Sequence, residues 1–262
     1  MSKAILYDSS MCVGPEICGA CVVACKETNG LPPGVPPNEE KELSEHAINV
    51  IQEREVDGET IHIRRSCMHC NQPACESVCP VGAIVREDNG AVIYKKDKCM
   101  GCRYCMVGCP FQVPTYQWFK TVPYIIKCDM CYNKISQGGV TSCSEECPTR
   151  ATMFGDKDEL IKIAHERIEE KMLEESKQLF LYGEKEIGGT STLLLTELTP
   201  EQLALPHALP ERPLPAYTHD VLSKVPHVVV MGTSALAGIW WITKRRKEVE
   251  EFEKHCNSKD KK

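Results

Sequence analysis

The polar and apolar positions of this chain change period several times, and each change marks a different kind of element. Two short apolar runs, 83–85 and 91–94, flank Asn89-Gly90. An Asn-Gly pair between apolar runs predicts a hairpin, because both residues tolerate positive φ. From Asp156 the spacing turns helical: Leu160, Ala164, Ile168 and Met172 recur at four-residue steps with Ile161 and Ile163 beside them, and Asp156 stands where an N-cap belongs. After this scaffold helix, TSTLLLTEL reads as a strand. Residues 31–45, LPPGVPPNEEKELSE, are too proline-rich and polar for a core and predict a surface loop. Pro206, Pro210, Pro213 and Pro215 give 205–220 the character of an extended arm lying over a partner, with a plain linker as the alternative.

Residues 225–243 carry no formal charge and are followed at once by Lys244, Arg245, Arg246 and Lys247. At about 1.5 Å per residue the segment spans just under the ~30 Å hydrocarbon core, with Trp240-Trp241 at the depth of an aromatic belt. Gly232, Thr233, Ser234, Gly238 and His227 make it only modestly apolar. A buried core helix is the competing reading, although small residues also suit a span packed on other helices. His227 sits where it could touch a quinone or haem, or be a plain interfacial histidine. The twenty residues before the span hold only Arg212 and Lys224, so the expectation is a plasma-membrane protein with a cytoplasmic C-terminus and its main domain on the outer, periplasmic face. The segment MSKAILYDSS has neither an apolar signal core nor a twin-arginine pair. Export of the folded domain with a signal-bearing partner is therefore expected, and a cytoplasmic domain with a misread span is the alternative.

Composition alters this picture in one respect. The 262 residues are 42% hydrophobic and 26% charged, an ordinary globular balance, and 31 Lys+Arg against 37 Asp+Glu give −6. No basic stripe interleaves with aromatics before the extreme C-terminus, so nucleic acid is excluded as a first reading. Cysteine is the exception: there are 17, and all but Cys256 fall into four runs. These are Cys12, Cys18, Cys21 and Cys25; Cys67, Cys70, Cys75 and Cys79; Cys99, Cys102, Cys105 and Cys109; and Cys128, Cys131, Cys143 and Cys147. Cys256 is expected to be a free cytoplasmic thiol. Three runs end in Cys-Pro, and the third has the C-x2-C-x2-C-x3-C-P spacing of bacterial ferredoxins.

Three chemistries compete for these thiols. Disulfide scaffolds are usually short chains, whereas here cysteines stand two or three residues apart in every run of a long one. Structural zinc takes two separated C-x2-C pairs per ion, and a third and fourth cysteine crowd each run. Sixteen thiols suit four 4Fe-4S cubanes. By analogy with two-cluster ferredoxins, in which the fourth cysteine of a run ligates the other cluster, Cys67, Cys70 and Cys75 are expected to join Cys109, and Cys99, Cys102 and Cys105 to join Cys79. The outer runs pair likewise: Cys12, Cys18 and Cys21 with Cys147, and Cys128, Cys131 and Cys143 with Cys25. Sixteen thiolates and four oxidised cores would take the net charge from −6 to roughly −14, to be screened by backbone N–H groups. Gly19, Gly101 and Gly108 either let backbone approach sulfur or serve as tight turns. His69 could donate to a cluster sulfur, but a solvated loop histidine is the favoured reading.

The fold expected is α+β: two nested ferredoxin-like modules in residues 1–155, with the second and third runs, at about 60–115, inserted between the first and fourth. A helix, strand and arm follow in 156–224, then a transmembrane helix at 225–243 and a basic tail at 244–262. With these motifs the chain resembles the four-cluster electron-transfer subunits of membrane-bound respiratory oxidoreductases. ILYDSSMCVG, CMHC, CPVGAI, CRYCMVGCP and LYGEKEIGGT bring it nearest to the electron-transfer subunit of uptake NiFe hydrogenases, and the beta subunits of membrane-bound formate dehydrogenases are similar. The resemblance implies a non-catalytic subunit that relays electrons between catalytic subunits and an integral membrane, quinone-reactive subunit. One departure stands out: five residues, Pro15 among them, separate Cys12 from Cys18 where the family usually has two. A self-contained enzyme is the rival class, but no GxGxxG turn, Walker loop or acid/base constellation accompanies the cysteines. A zinc-held interaction module is the other rival.

Overall fold

The computed structural model describes residues 2–56, 58–174, 178–199, 201–203, 205–206 and 209–259, with all their side chains except 174 and 252–259. It comprises two units, Met1–Pro215 and Ala216–Lys262. The first opens with β1 (Lys3–Asp8) and, past the first cysteines, α1 (Ala20–Thr28). A hairpin of β2 (Asn49–Val56) and β3 (Glu59–Ser66) precedes the second run, which holds the one-turn α2 (Ala74–Ser77). Strands β4 (Ile84–Arg86) and β5 (Val92–Tyr94) lead to α3 (Tyr104–Gly108) in the third run. The short β6 (Thr115–Tyr116) and β7 (Ile125–Ile126) lead to α4 (Tyr132–Ile135) and α5 (Ser142–Glu145) in the fourth. Then come β8 (Thr152–Asp156), α6 (Lys157–Glu174), β9 (Phe180–Tyr182), β10 (Thr192–Thr196), α7 (Leu214–Leu222) and α8 (Val225–Lys259).

Four strands form one sheet in the order β8-β1-β10-β9, with β1 and β10 parallel and the outer pairs antiparallel. Alternate residues of the central strands point to opposite faces. Ala4, Leu6, Leu193 and Leu195 pack on Leu160 and Ala164 of α6, while Tyr7 and Leu194 join the core on the cysteine side. A strand covered on both faces reads as an unbroken apolar run, which is why LLL in β10 shows no alternation. In α6 the four-residue spacing holds for Leu160 and Ala164 but not to the end, since Met172 is exposed. Each four-residue step turns about 40° past a full turn, so three steps carry Met172 off the buried face. Asp156 ends β8 directly before the helix and holds Lys3 Nζ at 3.1 Å.

The Asn-Gly hairpin forms, pairing Ile84–Arg86 with Val92–Tyr94. Gly90 has φ +95°, and a Cβ there would come within 2.7 Å of the Lys3 carbonyl. The tip is thus seated against β1, and the Lys3 N–H donates to the Asn89 carbonyl at 2.8 Å. The β2–β3 hairpin escaped sequence reading although its signal was present: Asp57-Gly58 separates NVIQEREV from ETIHIRRS. Residues 31–45 are largely exposed, as predicted; buried Glu40 is the exception, ion-paired with buried Lys26.

The proline-rich arm requires correction. Leu203 and Leu205 are buried in the main core, Tyr182 Oη donates to the Pro206 carbonyl at 2.7 Å, and the Ile187 N–H donates to the Pro210 carbonyl at 2.7 Å. This part of the arm covers the chain's own core, since leucines between the prolines supply apolar area that needs burial. From Leu214 the chain is helical, not extended.

In the second unit, α8 belongs to one helical stretch, Leu214–Glu251, that is long and apolar enough to cross a membrane. None of its apolar window is buried, which contradicts a buried core helix. Thr233, Ser234 and Thr243 donate their hydroxyls to carbonyls of Val229, Val230 and Ile239, so they satisfy themselves within the helix. Lys244 Nζ lies 5.2 Å from the Trp240 ring centroid. His227 is exposed on this helix. The Cys256 side chain lies outside the described residues.

Candidate metal centres

The four runs share one local device. The residue two after the first cysteine has positive φ in every run: Gly14 (83°), His69 (48°), Gly101 (75°) and Met130 (61°). This turns the backbone so that its amides reach sulfur; Gly101 N lies 3.4 Å from Cys99 Sγ and Met130 N 3.3 Å from Cys128 Sγ. His69 and Met130 hold a conformation that costs a non-glycine residue roughly 1–2 kcal/mol. The first run obeys the same rule through Gly14, so its extra residues, Pro15 among them, are an insertion placed after the turn. Each Cys-Pro forms a second repeated turn. Gly82, Gln112 and Arg150, three residues after Cys79, Cys109 and Cys147, have positive φ and donate N–H to the cysteine carbonyl at 3.1–3.3 Å. Ala83 N then reaches Cys79 Sγ at 3.2 Å, and Thr152 N reaches Cys147 Sγ at 3.3 Å. Such concave runs of N–H groups are anion nests. At Cys79 burial works against ionisation, but N–H groups of Ala83, Val81, Ile84 and Gly82 outweigh it and lower the thiol pKa.

These turns bring the cysteines together across runs. Cys12, Cys18, Cys21 and Cys147 line one pocket, walled by Tyr7, Val13, Ile51 and Ala151. Cys99, Cys102, Cys105 and Cys79 line another, walled by Val81, Ile84, Tyr94 and Ile125. Cys70 has Cys67, Cys109 and Cys75 as its electrostatic neighbours. Cys25 has Cys143 and Cys131, and Cys128 has Cys25. All sixteen described cysteines are free thiols. Among the described residues no three His, Cys, Asp or Glu side chains stand close enough to share a single metal ion. The thiols ring spaces larger than one ion, which disfavours zinc and fits a polynuclear group.

Burial makes these thiols hard to ionise alone. Desolvation raises Cys21 and Cys75 to about 12, with neighbouring thiols adding to it, and Cys105 to about 11. Two buried cations oppose this. Arg64, on β3, donates from Nη2 to Cys143 Sγ at 3.1 Å and from Nε to Asn49 Oδ1 at 2.7 Å, while Asn49 Nδ2 donates to the Cys21 carbonyl at 3.0 Å. Desolvation disfavours the Arg64 charge, but the Cys143, Cys21 and Cys128 thiols outweigh it and raise its pKa. Lys127 donates to the carbonyls of Val92 and Cys128, and its Nζ lies 4.0 Å from Cys67 Sγ. Burial opposes its charge too, and Cys67, Cys75, Cys128 and Asp129 more than restore it.

Sequence reasoning named every cysteine but missed Arg64, Asn49 and Lys127. Lys127 immediately precedes the fourth run, and Arg64 lies three residues before the second; their positions are the only hint in the chain. His69 needs correction: it is fully buried, not solvated, and its Nδ1 accepts from Val92 N at 2.9 Å while Nε2 has no partner among the described residues. Burial, with Lys127, Arg64 and Arg86 nearby, lowers its pKa well. Of the three glycines, Gly101 brings its amide to sulfur, whereas Cβ atoms at Gly19 and Gly108 would strike Pro37 and Val78.

Nested cysteine turns around cluster-sized cavities define a ferredoxin-like iron–sulfur protein, and comparison agrees. Residues 59–157 match the 4Fe-4S dicluster domain family. The chain is 34% identical to a protein of Nitratidesulfovibrio vulgaris (strain Hildenborough) over 95% of its own length and 68% of the relative. It is 34% identical to the hydrogenase-2 operon protein HybA of Escherichia coli O157:H7, covering 93% of this chain and 84% of that protein. To the nitrate-inducible formate dehydrogenase iron-sulfur subunit of Escherichia coli (strain K12) it is also 34% identical, over 80% and 73%. The chain belongs to this family of 4Fe-4S iron–sulfur subunits.

Replacing Arg64 by Leu leaves Asn49 Oδ1 and the Cys143 thiol without their buried donor. The expected cost is on the order of 3 kcal/mol, seen as thermal bleaching of visible absorbance at a lower temperature; an unchanged bleaching midpoint would contradict the role given to Arg64.

Proposed function

We propose that this chain is the non-catalytic electron relay of a respiratory complex, with four 4Fe-4S centres held by Cys12/Cys18/Cys21/Cys147, Cys25/Cys128/Cys131/Cys143, Cys67/Cys70/Cys75/Cys109 and Cys79/Cys99/Cys102/Cys105. The observation that carries the reading is the pair of cavities, each lined by three cysteines of one run and one of another. When bound, such clusters accept and release single electrons at potentials the protein tunes. The chain's own groups supply thiolates, aim N–H donors at sulfur and exclude water with apolar walls. Proximity also suggests an order: Cys21 neighbours Cys143, Cys128 neighbours Cys67, and Cys75 packs with Cys105. The first-run set and the third-run set are then the two ends of the relay.

The partners proposed are a NiFe hydrogenase catalytic subunit and an integral membrane subunit that handles quinone. The HybA relative supports this, and the formate dehydrogenase relatives support a molybdopterin partner as the second reading. We place the Met1–Pro215 unit on the outer face of the plasma membrane because Lys244, Arg245, Arg246 and Lys247 directly follow the apolar stretch. Export in company with a signal-bearing partner is the route proposed.

Three measurements test this. Metal analysis of the native complex, purified anoxically, should find nickel stoichiometric with the chain; molybdenum or tungsten without nickel would move it to the formate dehydrogenase reading, and absence of iron would end both. Cys79→Ser should perturb the centre held by Cys99, Cys102 and Cys105 in EPR spectra, and a loss confined to the centre of Cys67, Cys70 and Cys75 would refute the ligand assignment. Protease added to intact cells should spare the cluster domain until the outer membrane is opened; digestion only after the cytoplasmic face is exposed would reverse the orientation.

A further inference from the structure

Lys127 is buried where the fourth cysteine run, of the outer pair, meets the second, of the inner pair. It adjoins Cys128 of the outer frame, and its Nζ lies 4.0 Å from Cys67 Sγ of the inner pair. Its other contacts are the carbonyls of Val92 and Cys128, 2.7 Å away in the latter case. Among the described residues no carboxylate oxygen comes within ion-pair distance of Nζ. A buried ammonium lacking a carboxylate is costly unless another negative group compensates it. The thiols of Cys67 and Cys128, ligands of different centres in the reading above, are placed to do so, with Cys75 and the Asp129 carboxylate as further negative neighbours. Carbonyl bonds alone do not call for a lysine, since a neutral amide donor would satisfy them.

We propose that Lys127 is a charge bridge between the modules, holding the potentials of the two centres that flank it above those they would otherwise have. The inference rests on the four-cluster reading. A set of four thiolates leaves its bound group net negative, and each electron received adds one further negative charge without forming or breaking a bond. A fixed positive charge beside both sets favours the reduced form of each. A unit charge at this range, even with strong screening, changes the reduced-to-oxidised ratio by at least about tenfold, ~59 mV for a one-electron couple. Arg64 is placed at Cys21 and Cys143 within the outer frame, so the crossing between modules falls to Lys127.

The test is an EPR-monitored redox titration of the anoxically purified native complex carrying the full chain, with iron counted in parallel. In the wild type four paramagnetic centres per chain are required; fewer would overturn the four-cluster reading rather than Lys127. In Lys127→Met two of the four midpoints should fall by at least about the tenfold ratio while the other two stay, and Lys127→Arg should restore both. Lys127→Gln keeps the carbonyl bonds but not the charge, and the same paired fall is expected. With four centres present, midpoints that do not move, or that all move equally, overturn the proposal. Loss of iron in both neutral variants would make Lys127 an assembly residue and overturn it as well.

Discussion

Everything in the cysteine-bearing unit answers to one constraint: sixteen thiols, ionised as the ligands proposed above, would place a large negative charge inside a protein interior. A carboxylate-sized charge moved from water into such a medium is penalised by several kcal/mol after relaxation. The raised pKa values of Cys21, Cys75 and Cys105 are that penalty seen on the free thiols. The chain meets it in two ways. Backbone amides are turned toward sulfur by left-handed residues at fixed offsets from the cysteines, and Arg64 and Lys127 are buried among the thiols. The second device is needed where amides cannot be multiplied, between sets, because a turn serves only the sulfur it encloses.

The rest of the fold follows from delivering those turns. The four-stranded sheet sets β1, which leads into the first run, against β8, which leaves the fourth, so the ends of the outer frame are tied by strand pairing. The Asn89 tip of the inner hairpin hydrogen-bonds to the start of β1, fixing the inserted module to the same sheet. On the other face α6 covers Ala4, Leu6, Leu193 and Leu195, an apolar layer that needs no chemistry. The unit thus has two sides, a plain hydrophobic core behind the sheet and a thiol-lined interior in front.

Legibility followed period and spacing. The sixteen ligand candidates, the 83–94 hairpin, the α6 helix and the apolar span were readable because each repeats a short-range pattern. What could not be read is long-range. Arg64 looks like any strand arginine until β2–β3 places it beside Cys143, and His69 looks like a loop histidine until β5 covers it. The missed β2–β3 hairpin was a local failure, since Asp57-Gly58 was in view. The proline-rich arm failed for a different reason: prolines do announce an irregular segment, but whether its leucines cover this chain or another depends on how much of the core the rest leaves open.

The distribution of exposure along the proposed order carries the last step. The set of Cys25, Cys128, Cys131 and Cys143 is the most covered, with all four thiols buried, whereas the Cys67/Cys70/Cys75/Cys109 and Cys79/Cys99/Cys102/Cys105 sets have one buried thiol each, Cys75 and Cys105. In the two terminal sets Cys12, Cys18, Cys21 and Cys147, and Cys79, Cys99 and Cys102, are each partly accessible. Ile17 is exposed beside the first, and Met100, Tyr104 and Val107 beside the other. A relay must admit electrons at its ends and keep water and stray oxidants from its middle, and the contrast between the accessible first-run set and the buried set beside it follows that division. The insertion after Gly14 falls at a terminal set, where enlarging a loop changes the rim and leaves the buried interior intact.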